Sequence, residues 1–326
     1  MLIGMQNSAK RGSVLVLVLW TLLFLGTLGL AVGARVSAAL NAAVTFKAST
    51  EAYYAAKSGV ALAIAELHRD EEAGRRETNT WDTLAEAWSS SEDLFRDVRV
   101  GTGYFSIQHV EEDESGGLHL VYGLEDEERR INLNLASTNL LAALFVRVGN
   151  LAQQQADTLA ASLGEYRQRK AKVGSSPLTP TPTEEYAGGV TDLVNRLESV
   201  YELRFLEGVT PELFSKLEPY ITVYGSGAVN LNTASKQVLV CLAEAFGEEE
   251  AERWAANVIA ARPLGRGGVA ELLSRYRRIG NRAVTFCSTC FRGIATGRAA
   301  AEAGNRCKIV FVYDRDAGRI VSWIEY

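Results

Sequence analysis

Residues 14–34 carry no charged side chain, and Leu, Val, Ala and Trp fill most of these positions. At 1.5 Å per residue such a helix crosses a hydrocarbon core of about 30 Å. From Arg35 to Leu67 the chain stays rich in Ala, contains no proline, and mixes apolar with polar residues at helical spacing. The two stretches read as one helix over residues 13–69, on the order of 85 Å long. Small residues along a helix that projects from a membrane suit side-by-side packing against other helices. Lys10-Arg11-Gly12 directly precede the apolar run, and positive charge on that side predicts an N-terminus in the cytoplasm. Arg35 on the far side makes this asymmetry modest.

Three readings compete for the segment: a secretory signal cut at Ala31-Val32-Gly33, a plain signal anchor, or a leader cut after Gly12. A secretory apolar core runs about 7–15 residues, shorter than this one, and a discarded signal has no reason to continue into a long helix. The rest of the chain carries nearly all the charge and reads as soluble. A net charge of -5 argues against wholesale nucleic-acid binding. The three histidines, His68, His109 and His119, are scattered and near no cysteine, which leaves little material for a zinc site or a histidine triad.

Residues 98–110 and 118–124 are strand-like and read as a hairpin, after a short helix expected over 81–88. From 136 to 278 short helical periodicities take over, with starts marked by Ser137, Thr210-Pro211 and Ser235. Gly174 to Pro182 is a Ser/Thr/Pro-rich loop inside this block. Strand alternation returns over 284–296, 307–313 and 319–326. Too few strands flank the helical block for two separately stable sheets, so one shared sheet with a helical insertion is expected.

Within that block Ile131-Asn-Leu-Asn-Leu-Ala-Ser-Thr-Asn-Leu-Leu141 recurs as Val229-Asn-Leu-Asn-Thr-Ala-Ser-Lys-Gln-Val-Leu239. Such self-similarity points to duplicated supersecondary units. Each copy offers an extended lead-in, asparagines that bond nearby backbone, and a serine that caps the next helix. The second copy resembles helix-hairpin-helix modules, whose Gly-x-Gly turn receives a phosphate. Here the matching stretch, Ala245-Phe-Gly-Glu-Glu-Glu-Ala251, has one glycine and three glutamates, and residues 184–253 hold 13 acidic against 5 basic residues. That field repels a phosphate backbone, so no nucleic-acid partner is expected, and a membrane-anchored DNA-uptake receptor is the weaker alternative.

Arg11-Gly12 followed by Ser-Val-Leu-Val-Leu-Val-Leu-Trp resembles the start of type IV pilin-like proteins. Most of these carry a glutamate five residues after the cut, where this chain has Leu17. The helical block adds Val200-Tyr-Glu-Leu-Arg-Phe-Leu-Glu-Gly-Val-Thr-Pro-Glu-Leu-Phe214, Leu217-Glu-Pro-Tyr-Ile-Thr-Val223 and the second repeat. With the terminal strands, these resemble the minor pseudopilin K family of type II secretion systems over nearly the whole chain. That family is known for lacking the glutamate.

The resemblance implies an α+β, pilin-like fold: a long N-terminal helix packed on an antiparallel sheet. A large all-α, SAM/helix-hairpin-helix-like domain is inserted between the strands. It divides the chain into a leader (1–12), the long helix (13–70, membrane part 14–34), the first part of the α/β domain (71–130), the insert (131–278) and the last strands (279–326). It also implies prepilin peptidase cleavage between Gly12 and Ser13, minor pseudopilins I and J and the inner-membrane secretion platform as partners, and a single-pass inner-membrane protein with periplasmic domains. The expected role is at the pseudopilus tip, starting or capping assembly. A carboxylate in the membrane is costly unless paired, and in pilins its partner is the terminal amine of the subunit above. Leu17 therefore suits the topmost position.

Many relatives carry an Asp-Trp-x-Asp-x-Asp stretch rich in carboxylates, and members of the family can bind calcium. The corresponding place here, Leu159-Ala-Ala-Ser-Leu-Gly-Glu-Tyr-Arg-Gln-Arg-Lys170, is basic, so no metal ligands are assigned and no cofactor is expected. Catalytic residues are also absent from the reading, since no phosphate loop, nucleophile elbow or His-Glu-x-x-His occurs. An anchored enzyme with another kind of site is the third alternative. The acidic runs 125–128 and 248–250 read as solvated surface. Cys287-Ser-Thr-Cys290 lies in a strand-like setting, where positions three apart point to opposite faces. An oxidising periplasm would permit a bridge from Cys287 or Cys290 to Cys307, with buried free thiols as the alternative, and Cys241 belongs to a core. Replacing Gly12 by a bulkier residue should block processing, and mass spectrometry of the membrane-extracted protein should then find Met1 in place of Ser13 as the first residue.

Overall fold

The computed structural model describes residues 7–77, 81–112, 117–174, 196–275, 279–280, 282–300 and 306–326. Apart from Gly174, the expected loop at 174–182 lies outside these residues.

The first helix, α1 (Asn7–Glu77), is longer at both ends than its periodicity suggested. Residues 14–47 are exposed along their whole length. From Ala48 the helix acquires a buried stripe of Ala48, Ala52, Ala55, Ala56, Val60, Ala63 and Leu67. The i, i+3/i+4 spacing puts these on one face, and their small size lets the helix backbone approach what it packs on.

That partner is an antiparallel sheet with order β1-β2-β10-β11-β12. Its strands are β1 (Val98–Val100), β2 (Gly103–Ile107), β10 (Cys290–Ala299), β11 (Arg306–Asp314) and β12 (Arg319–Glu325). A short strand, β5 (Glu125–Asp126), pairs with the start of β10, Asp126 opposite Phe291. β10 alternates strictly, with Phe291, Gly293, Ala295, Gly297 and Ala299 turned inward. Small residues thus face small residues across the helix–sheet contact. A Cβ added at Gly297 would lie 2.0 Å from the carbonyl oxygen of Ala52, and one at Gly59 would lie 2.7 Å from the Phe105 ring.

The expected single hairpin is instead two. β1 and β2 turn at Gly101, which has φ +56°, and β3 (His109–Glu112) pairs with β4 (Leu118–Val121) as a separate ribbon. The short helix expected over 81–88 is a series of turns; helix α2 (Glu92–Phe95) comes later. The two tryptophans explain this. Seven residues apart on a helix they would share one face, but Trp88 enters the sheet core edge-on to Phe291 while Trp81 lies where a Cβ on Gly265 of the helical insert would be.

Between β5 and β10 the chain builds a second hydrophobic core. Its first half runs through β6 (Ile131–Asn132), α3 (Thr138–Arg147), α4 (Gln153–Gly174), α5 (Pro211–Leu217) and β7 (Ile221–Thr222). Its second runs through β8 (Val229–Asn230), α6 (Lys236–Ala245), α7 (Ala251–Ala260), α8 (Arg266–Arg275) and β9 (Val284–Thr285). β6 pairs in parallel with β7, and β8 with β9, so the repeat seen in the sequence is a repeat of whole units.

The equivalences extend to single bonds. Asn132 and Asn230 each accept from the amide two residues on, at 2.8 and 2.9 Å. Asn134 exchanges side-chain bonds with the backbone of Leu197, as Asn232 does with that of Leu264. Ser137 and Ser235 cap α3 and α6. Arg167 and Arg262 hold the carbonyls of Ala136 and Ala234. Gly297→Val should lower the thermal midpoint sharply, by more than about 2 kcal/mol of stability, because neither the Ala52 carbonyl nor the α1 backbone can move aside. Thermal melting followed by far-UV circular dichroism checks this.

Candidate functional site

Two regions combine features that function can use: the exposed first half of α1 and the polar seam between the two cores. Along residues 14–34 no side chain is covered, and the most apolar 18-residue window of α1 has a mean hydropathy of 2.5. The helix is long and apolar enough to cross a membrane once. Gly12 and Ser13 lie in its first turns, and Leu17 is exposed. Past the apolar run Val36, Leu40, Val44 and Phe46 stay uncovered, Phe46 at 75%.

The seam overturns one reading of the sequence. Residues 125–128 are not solvated surface: Asp126, Glu127 and Glu128 are buried. They sit where the chain leaves the sheet, and the returning segment 286–290 lies beside them. Asp126 accepts from the side chains of Asn230 (3.1 Å), Thr233 (2.5 Å) and Ser288 (2.7 Å) and from the amide of Glu128 (2.7 Å). Glu128 accepts from the amides of Ser226, Thr289 and Cys290 and from the Thr289 hydroxyl. Glu127 pairs with Arg292 and Arg130 and accepts from the Thr222 hydroxyl; Arg130 also reaches Glu125 at 2.8 Å and the Pro219 carbonyl. The unbroken charged run 125–130 gave no sign of this. The signal in the sequence is Thr233, which replaces the Leu135 of the first repeat and turns its hydroxyl to Asp126.

A second acidic group closes the seam from the α1 side. Arg315 donates to both oxygens of Asp82 (3.0 and 2.8 Å) and lies 3.9 Å from Asp70, and the Ser288 amide donates to Asp82. Asp70, Asp82 and Glu86 bring carboxylate oxygens within 4.8 Å of one another, the one such group with metal-ligand spacing among the described residues. In this group Arg315 pairs with Asp82 and Asp70, while Glu86 accepts from the Trp88 ring nitrogen and the Thr83 amide.

The proposed disulfides do not form. All four cysteines are free thiols. Cys290 stands opposite Asp314 and Cys307 opposite Gly297, a separation of about 23 Å along the ladder at 3.3 Å per residue, far beyond the roughly 7 Å that a bridge spans. Cys287 lies further still from Cys307, in the bend before β10. Burial pushes the thiols of Cys241 and Cys290 up to about 12, which keeps both unreactive. Cys241 is core, as expected. The glutamates 248–250 stand between α6 and α7 on the surface, with Glu250 paired to Arg253 at 2.8 Å.

A long helix docked on an antiparallel sheet and followed by a duplicated helical insertion is a pilin-like fold, here with an uncovered apolar half long enough to cross a membrane. A family model described as type II secretion system (T2SS), protein K, matches residues 120–226. Over these residues, about a third of its length, the chain is similar to that family. A chain in the crystal structure of the GspK-GspI-GspJ complex from the enterotoxigenic Escherichia coli type 2 secretion system has the same fold. Its TM-score is 0.54 at 16% identity, over 85% of this chain and 96% of that one. No curated protein sequence matches this chain.

Burial, reinforced by Glu128, pushes Asp126 up to about 7. Burial also pushes Glu86 up to about 7, and burial with Asp82 pushes Asp70 to about 6. Burial works against the charge of Glu125 too, but Arg130, His109, Arg292 and Arg129 override it and hold this carboxyl at about 2. The three raised groups stabilise the fold fully below their unfolded values near 4, and that contribution is lost as pH rises through 6 to 7. Glu125 acts in the opposite sense, its contribution present above about 4.5 and lost toward 2. The thermal midpoint of the detergent-solubilised protein should therefore rise from about pH 8 to about pH 5 and fall below about pH 4, read by differential scanning calorimetry.

Proposed function

We propose that this chain is a minor pseudopilin at the tip of a type II secretion pseudopilus, starting or capping its assembly for export of folded proteins. The observation that carries this reading is the uncovered apolar face of α1 beyond the membrane run, at Val36, Leu40 and Val44. In water that face costs free energy until other helices cover it, which is what a helical filament supplies. The insert supports the terminal position. It is tied through Trp81 and Asp82 to the loop just past the end of α1, about 65 Å from Ala34 at 1.5 Å per residue. It therefore sits at the membrane-distal end, where it would obstruct a subunit above. Leu17 agrees, since it offers no carboxylate to a neighbour's amine.

In this reading the N-terminus faces the cytoplasm and both cores lie in the periplasm. Prepilin peptidase removes residues 1–12, and the secretion platform receives the subunit. Minor pseudopilins I and J are the neighbours, in keeping with the related fold's occurrence in a complex with GspI and GspJ. The role is structural, with no catalysis, cofactor or nucleic acid. The glutamates at 248–250 and the ion-paired seam fit that role better than a DNA-uptake receptor. Crosslinking in cells through a cysteine placed at Val44 should join one copy of this chain to other minor subunits. A ladder of self-crosslinked copies would instead make it a filament-forming major subunit.

A further inference from the structure

Asp126 and Glu128 differ from the paired carboxylates of the seam. Glu125 and Glu127 face Arg130, Glu127 also faces Arg292, and Asp82 and Asp70 share Arg315. Among the described residues no cation lies within ion-pair distance of Asp126 or Glu128; each is met by four uncharged donors instead. Those donors belong to different stretches of chain. Asn230, Thr233 and Ser226 are part of the insert, whereas Ser288, Thr289 and Cys290 lead back into the sheet. The two carboxylates thus clasp the insert to the returning strand.

Their surroundings are strongly negative. On their own segment stand Glu125, Glu127, Arg129 and Arg130, with Arg129 engaged by Glu111. From the loop after α1 comes Asp82, with Asp70 and Glu86 behind it and Arg315 upon it. β10 contributes Arg292, engaged by Glu127, and the protonated thiol of Cys290. The face formed by residues 229–234 is neutral, and Arg262 behind it is spent on the carbonyls of Leu231 and Ala234.

We propose that the Asp126–Glu128 pair is a proton-operated clasp, in which one proton on Asp126 tightens the attachment of the helical insert to the sheet and its loss loosens it. The two carboxylates are not equivalent as proton acceptors. Three of the four donors to Glu128 are backbone amides, which cannot turn round to accept. The hydroxyls of Thr233 and Ser288 can, so a protonated Asp126 keeps its partners with the bond direction reversed. Glu128 then remains as a single buried anion held by four donors, in place of two adjacent anions. Burial and the Glu128 charge set this uptake in the neutral range.

Hydrogen exchange on the full chain in detergent, corrected for the intrinsic pH dependence of exchange, tests the clasp. From about pH 5.5 to about pH 8.5, protection of the peptides covering 226–233 and 284–290 should fall, by up to about tenfold per pH unit below the midpoint and about threefold per unit at it. Protection within α3 should change less. D126N, which keeps the shape without the charge, should hold the low-pH protection throughout. S288A keeps the carboxylate but removes a donor to its charged form, so its midpoint should move to higher pH. A flat wild-type profile would overturn the proposal, as would an unchanged slope in D126N. If D126N does not fold, S288A decides: an unmoved midpoint overturns the clasp.

Discussion

The close approach of α1 to β10 is the contact from which the rest of the sheet body is built. Gly297 lies so near the helix that no side chain fits between it and the Ala52 carbonyl. Packing at this distance brings helix backbone against strand backbone, and it is available only because both surfaces are lined by Gly and Ala. Dispersion and exclusion of water act over the whole strip. Larger groups are then accommodated at its margins, with Phe105 fitting over Gly59 and Phe311 over Gly293. The long helix therefore has two regimes. One half is bound to its own sheet through small residues, and the other presents large apolar residues to whatever lies outside the chain.

The second dependence is polar. Two hydrophobic cores meet without merging, and the gap is filled by carboxylates, asparagines and hydroxyls that are nearly all satisfied by one another. Removing one member of such a network leaves buried groups without partners, which costs more than the bond itself contributed. The second repeat carries that burden. Its Asn230 and Thr233 reach Asp126, whereas in the first repeat Asn132 turns to the Tyr224 carbonyl and Leu135 is exposed. One duplicated unit thus caps the insert and the other docks it.

Much of this was legible in the residues. The membrane-length run, the continuation of α1, the duplicated lead-ins and the terminal strands follow from local pattern, because each depends on neighbours in sequence. The serine caps and the paired asparagines could be read for the same reason. What could not be read depends on contacts between distant residues. The acidic run 125–128 looks solvated because its partners lie about 100 to 160 residues away. Trp81 and Trp88 match one helical face, yet Trp88 enters the sheet core while Trp81 lies against Gly265 of the insert. The cysteines looked able to pair across adjacent strands, but the register between β10 and β11, which the sequence leaves open, holds them apart.

The pairing of Asp126 with Phe291 has a consequence for how such a chain could have come about. Departure and return of the backbone occur side by side on one antiparallel ladder, so in topological terms the whole helical insert is the loop of a β-hairpin. The entropy of closing a loop grows only with the logarithm of its length, and an insert that folds upon its own core escapes even that. A sheet of this design is indifferent to what is spliced between β5 and β10, provided the two ends emerge together. The host fold and the guest fold can then change independently, so long as the few buried residues at the splice still fit both.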